Sequence, residues 1–374
     1  MKKVVLVNQS SGYLMVDIVN AYAKHYDEVV LLAGSIRVLE RPLNEKVRVR
    51  HIMSYNRNSS SRRMVSWLWS SVQVFFLLLF KYRKFETIFV TNPPFAYLTG
   101  LILKREFSVI VYDTYPDALK NIGISENNPI YTAWEGMNRM IFGKAKNIFT
   151  LSESMALQLS EYVPKERITV IPNWSGSTKF GPVSREENPF IADNKLERKF
   201  VVLYSGNIGY THNVEVLTEV AEKLKEETDI CFLFIGEGRK KEELVKIAKQ
   251  KNLDNCRFMT WQSPDILPYS LSAADLGVVT LNDTTAQLSV PSKTYNLMAA
   301  GVALLSIAPE TSALAQLIQD HKNGRNFNAG QTMEIVDFIL QCRNNRKELS
   351  VMSENSLKAS KKYTYSNAEL YLKS

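Results

Sequence analysis

VPSKTYNLMAAG, residues 290–301, reads as a helix held between a start signal and a stop signal. Pro291 suits a first turn, Ser292 or a neighbour can cap, and Tyr295, Leu297, Met298, Ala299 and Ala300 continue an apolar helix that Gly301 ends. A helix start offers unpaired backbone N–H groups and a partial positive charge. Lys293 stands in that first turn, where it is repelled unless an anion lies between it and the helix end. The combination points to a phosphate site, although an ordinary crossover helix with a lysine in its first turn has the same pattern. VALLSIAP (302–309) follows at once as a buried strand, which sets the helix in an α/β alternation rather than a helical bundle.

The same alternation extends in both directions. Before the helix come FVVLYSGNIG (200–209), a helix over 213–227, ICFLFIGEG (230–238), a charged helix over 239–250, CRFMTW (256–261) and DLGVVTL (275–281). The first half repeats the pattern with KVVLVN (3–8), a helix over 15–25, EVVLLAG (28–34), VRVRHI (47–52), TIFVTNPP (87–94), SVIVYD (108–113), NIFTLSES (147–154) and ITVIPNW (168–174). Consecutive apolar strands joined by helices predict parallel sheets with right-handed crossovers. The expected fold class is therefore α/β, with two Rossmann-like domains of parallel sheet. The first covers 1–172, a polar stretch over 173–198 is the linker, the second covers 199–348, and a helical segment over 349–374 is placed to pack back on the first. Open α/β sheets bind ligands at the carboxyl ends of their strands, so the expected site is a cleft between the two domains.

A chain of 374 residues, 45% hydrophobic, has enough apolar surface for two cores. Cys231, Cys256 and Cys342 are spaced for neither a metal nor a disulfide framework, which suits a reducing cytoplasm, and the opening MKKVVLVNQSSG turns polar too early for a signal peptide. The net charge of +8 comes wholly from residues 1–172, with 22 Lys and Arg against 14 Asp and Glu. Scattered basic residues without interleaved aromatics give no nucleic-acid module, while an excess of this size suits anionic headgroups or a diphosphate. Residues 64–80 carry no charge, hold Trp67 and Trp69, and are flanked by Arg62, Arg63, Lys81, Arg83 and Lys84. This stretch is at the short limit for a bilayer span. Its place between strands that need a crossover favours a buried helix, or a helix whose aromatic face dips into a membrane interface, over the third reading, a true transmembrane span.

YSGNIG (204–209) ends a strand with two glycines, and Gly206 and Gly209 are the residues that permit an unusual φ and a close backbone approach to phosphate. FIGEG (234–238) and CRFMTWQSP (256–264) are two further strand exits on the same edge. Together with VIPNW (170–174), ADLGVVTL (274–281), DTYPD (113–117) and VPSKTYNLMAAG, these motifs resemble the family-4 glycosyltransferases of the GT-B fold over essentially the full length. The P-S-K variant is similar to a subgroup that builds surface polysaccharides. The resemblance implies sugar transfer, with retention, from a nucleotide-diphosphate donor to a polyprenyl-diphosphate-linked acceptor, at the inner face of the cell membrane, without metal or other cofactor. It puts the donor at Gly206, Asn207, Gly209, His212, Gly236, Trp261, Gln262, Ser292 and Asn296, with Lys293 stabilising the leaving diphosphate. The acceptor side falls to Ser10, Ser11, Gly12 and Asp117. Asp113, at a strand end, is the candidate base or acceptor-positioning group, or equally a turn former. The chain departs from the family pattern where two glutamates commonly stand eight residues apart, since Leu288 and Asn296 occupy those positions, and GNIGYTHN lacks the usual Arg and Lys. A catalytically silent partner subunit and a sugar-nucleotide epimerase are the alternatives.

Overall fold

A computed structural model describes residues 1–56, 58–116, 128–209, 213–282 and 290–372. They form two compact units, Met1–Gly176 with Tyr365–Ser374, and Ser177–Thr364, so the chain passes between units twice.

The first unit is built on β1 (Lys3–Val7), β3 (Glu28–Ala33), β5 (Val47–His51), β6 (Glu86–Val90), β7 (Phe107–Val111), β8 (Ile148–Thr150) and β9 (Ile168–Val170), with the two-residue strands β2 (Ser10–Ser11) and β4 (Ser35–Ile36) paired beside them. The main sheet has the order β5-β3-β1-β6-β7-β8-β9 and is parallel at every pairing. Its inner strands are mostly apolar and almost wholly buried; Val4, Val5, Leu6 and Val7 have no exposed surface. The edge strand β5 instead alternates, with arginines that blunt the edge.

The second unit holds β10 (Phe200–Ser205), β11 (Ile230–Ile235), β12 (Cys256–Met259), β13 (Leu276–Thr280), β14 (Ala303–Ile307) and β15 (Gly324–Phe327). Their order, β12-β11-β10-β13-β14-β15, reverses direction between β10 and β13, the crevice where a doubly wound sheet accepts a ligand. The decisive helix runs Ser292–Ala299. Gly301 takes φ +73° and the chain closes by Gly301 N–H to Met298 O and Val302 N–H to Leu297 O, both 3.0 Å, the double bond of a Schellman stop.

Two boundaries differ from the expectation. The stretch 173–198 is not a free linker. Trp174 is fully buried in the first unit, where its Nε1 donates to Asp17 Oδ2 at 2.8 Å and Arg41 grips the same carboxylate twice at 2.7 Å. Phe180, Phe190, Ile191 and Leu196 are buried in the second unit's core, and Pro189–Asp193 is helical. Apolar side chains spaced through a polar stretch supply the burial that its composition conceals. The C-terminal segment also divides later than 349: the Arg346–Ser360 helix belongs to the second unit, and the first unit reclaims the chain at Tyr365.

Candidate functional site

In the second unit, two strand exits meet backbone to backbone. Gly206, just past β10, has φ +157° and donates its N–H to Ile235 O at 2.9 Å. Gly236, just past β11, has φ +147°, and a Cβ added there would stand 2.0 Å from Gly206 O. Neither position accepts a side chain without displacement. Gly209 differs from the expectation: it takes no left-handed φ, and its lack of a Cβ instead makes room for the Asn207 side chain, whose Nδ2 would lie 2.7 Å from one. The Tyr204 hydroxyl fixes this loop by donating to Asn207 O at 2.7 Å.

Lys293 reaches this same loop from the Ser292–Ala299 helix. Its Nζ would lie 2.8 Å from a Gly206 Cβ and stands 4.0 Å from the centroid of the Tyr204 ring. The residue as a whole is partly exposed, but Nζ is buried and has no hydrogen-bond partner among the described residues. Burial brings its pKa down from 10.5 to about 7. Thr294 Oγ1 is likewise buried without a partner, and no side chain caps the helix start at Pro291 and Ser292. A buried ammonium, a helix N-terminus and a glycine loop thus share one small region with no acidic partner for the ammonium among the described residues, and an anion would satisfy them together.

The remaining donor-side residues are spread along the same carboxyl edge. Asn296 is one turn into the helix and partly exposed. Trp261, 54% exposed, leaves β12 with Gln262, whose Nε2 donates to Thr260 O at 3.0 Å. His212 and Leu288 lie outside the described residues. Sequence reasoning missed a cavity of about 350 Å³ at the ends of β13, β14 and β15, lined by Asn213, Leu281, Ala308, Pro309, Asn328, Ala329 and Gly330. It also missed Tyr204, whose place under Lys293 no motif announces.

In the first unit, Ser10 and Ser11 form β2, Ser11 Oγ donates to Asn8 O at 3.1 Å, and Gly12 precedes the Tyr13–His25 helix. All three line a polar cavity of about 640 Å³ with Arg37, Ser54, Asn56 and Asn58, at the carboxyl ends of β1, β3 and β5. Only the serines and the glycine were legible as candidates, because the other residues come from loops without a motif. Asp113 follows β7, and its N–H donates to Thr91 Oγ1 at 3.1 Å. Asp117 lies outside the described residues. Among the described residues, no three His, Cys, Asp or Glu side chains come together as a metal site.

Residues 185–359 match the family model for glycosyl transferases group 1. Over 265 residues the chain is 29% identical to the protein named colanic acid biosynthesis glycosyl transferase WcaI of Escherichia coli, covering 67% of this chain and 64% of that one. Over 242 residues it is 26% identical to the glycosyltransferase named WbjE of Pseudomonas aeruginosa, covering 63% and 60%. The chain thus spans less than two thirds of either relative. The crystal structure of Anabaena HepE in complex with UDP and glucose superposes on 100% of this chain and 98% of its own, with TM-score 0.75 at 13% identity, a likeness of fold. The region similar to group 1 glycosyl transferases is therefore nearly the whole second unit, and the two units together have the GT-B fold.

Proposed function

We propose that the protein is a retaining glycosyltransferase of surface polysaccharide assembly. It moves a hexosyl or N-acetylhexosaminyl group from a UDP- or GDP-sugar to a saccharide carried on a polyprenyl diphosphate, at the inner face of the cell membrane, with residues 64–80 touching the bilayer. The observation that carries the reading is Lys293 Nζ, buried against Gly206 with no acceptor among the described residues. The names of the two relatives support sugar transfer, and the UDP bound by HepE supports a uridine nucleotide.

In this reading the donor diphosphate lies over Gly206 and Asn207 and against the first turn at Ser292. Lys293 and the helix dipole meet the charge that grows as the C1–O bond to the diphosphate breaks, which makes their contribution larger in the transition state than in the ground state. The acceptor oxygen bonds C1 on the same face, and its proton passes to the departing diphosphate oxygen. Asn296 faces the ribose, Trp261 and Gln262 the base, and His212 the donor. Ser10, Ser11, Gly12 and Asp117 take the acceptor, with Asp113 orienting its hydroxyl. Lys293→Ala is expected to lower kcat/KM at least about tenfold, the loss of one charge contact in the transition state. The assay is mass spectrometry of a lipid-linked acceptor incubated with a panel of UDP- and GDP-sugars. Unchanged kinetics remove Lys293 from the mechanism. Nucleotide binding without transfer to any acceptor favours the silent-subunit reading that Asn296, in place of a glutamate, suggests.

A further inference from the structure

The helix Ser60–Phe76, continued by a π turn over Leu77–Lys81, exposes a large apolar face among the described residues of the first unit. Val65, Leu68, Trp69, Val72, Phe76 and Phe80 follow one another at helical spacing and are all exposed, Trp69 at 57% and Phe80 at 74%. Ser61–Lys81 is long and apolar enough to cross a bilayer, yet its other face is bound to the unit. Trp67, Val74 and Leu78 are buried, Gln9 Nε2 donates to Ser66 O at 2.9 Å, and Gln73 Oε1 accepts from Met53 N–H at 2.7 Å. A helix tied to its sheet on one side has only its outer stripe to offer a membrane.

That stripe ends at a basic cavity. At the amino ends of β6 and β7, a space of about 570 Å³ has Leu78, Leu79 and Leu103 in its wall and Arg83, Lys84 and Lys104 at its rim. The two carboxylates that also line it are engaged elsewhere, Glu86 by the Tyr26 hydroxyl at 2.7 Å and Glu106 by Lys146 at 2.9 Å. Arg105 is engaged too, donating to the carbonyls of Leu78, Tyr82 and Phe85. Arg83, Lys84 and Lys104 are exposed and have no acidic partner among the described residues. Three uncompensated cations over an aliphatic wall, next to an aromatic stripe, are complementary to a phosphate joined to acyl chains.

We propose that this cavity holds the phosphate headgroup of an anionic bilayer lipid while the Val65–Phe80 stripe is seated in the adjoining acyl boundary. The inference rests on the reading of 64–80 as a membrane contact and adds the lipid chemistry and the place where it is recognised. Full-length protein is sedimented at low salt with vesicles of phosphatidylcholine alone and with vesicles that also contain phosphatidylglycerol. Wild type is expected to prefer the anionic vesicles by at least about tenfold. Arg83→Ser/Lys84→Ser/Lys104→Ser is expected to lose the preference but keep weak binding to both. Trp69→Ser/Phe76→Ser is expected to lose binding altogether, with the melting of both variants checked against wild type. Wild type binding neither vesicle overturns the membrane contact and the headgroup site together. Equal binding to both vesicles, or a triple variant that keeps the preference, overturns the headgroup site alone. A solution dimer that Trp69→Ser/Phe76→Ser dissolves assigns the stripe to a second copy and overturns the proposal.

Discussion

At Lys293, stability and binding pull in opposite directions. Its Nζ has a folded pKa of about 7 against 10.5 in the unfolded chain, with burial as the cause. Between these values the unfolded state holds the proton and the folded state does not, so this group makes stability rise with pH from about 7 to about 10.5 and leaves it lowest below 7. Lys293→Met keeps the stem and removes the ammonium. The ligand-free variant is expected to melt above wild type at pH 7, with the gap shrinking as pH approaches 10, while its affinity for UDP falls. Thermal melts over that range, with and without UDP, check both halves; a variant that melts lower at every pH refutes the buried charge. The lysine's place in a helix start was legible from PSK between a strand exit and Gly301. Its seat over Tyr204 was not, because that contact joins residues 89 positions apart.

The two glycine exits act as one element, since β10 and β11 lie in register from Phe200 opposite Ile230 to Ser205 opposite Ile235 and deliver Gly206 and Gly236 to the same level. Gly236→Ala forces a Cβ onto Gly206 O at a φ of +147°. It is expected to cost on the order of 1–3 kcal/mol of stability and to weaken UDP binding more than Gly209→Ala, where only the Asn207 side-chain amide must give way. Denaturant unfolding and UDP titration of both variants decide this, and equal effects would separate Gly236 from the loop. Strands buried on both faces were legible at this scale because each is made mostly of apolar residues, as in FVVLYS, ICFLFI and ALLSI. β15, GRNF, was not, because an edge strand with one fully buried side chain carries no apolar run. The stretch 173–198 misled for the opposite reason: its polar majority hid Phe180, Phe190, Ile191 and Leu196, which bind it to the second unit.

The chain leaves the first unit at Gly176 and returns at Tyr365, so residues far apart in sequence complete one core. The returning segment packs on the Tyr13–His25 helix, where Tyr22 Oη donates to Tyr371 O at 2.7 Å and Lys24 pairs with Glu369 at 2.7 Å. The Tyr371 ring, 1% exposed, lies 5.1 Å from Phe149 in β8 and 6.4 Å from Trp174, both in the first unit. Its side chain is therefore part of the first unit's core. Tyr371→Ala is expected to cost about 3–5 kcal/mol, felt by the first unit alone. In calorimetry UDP identifies the second unit's transition by raising it. The variant is expected to move the other transition down by on the order of 10 °C and to leave the UDP-sensitive one, and UDP affinity, where they were. Joint movement of the two transitions would show that the units melt as one body and that the returning segment stabilises both.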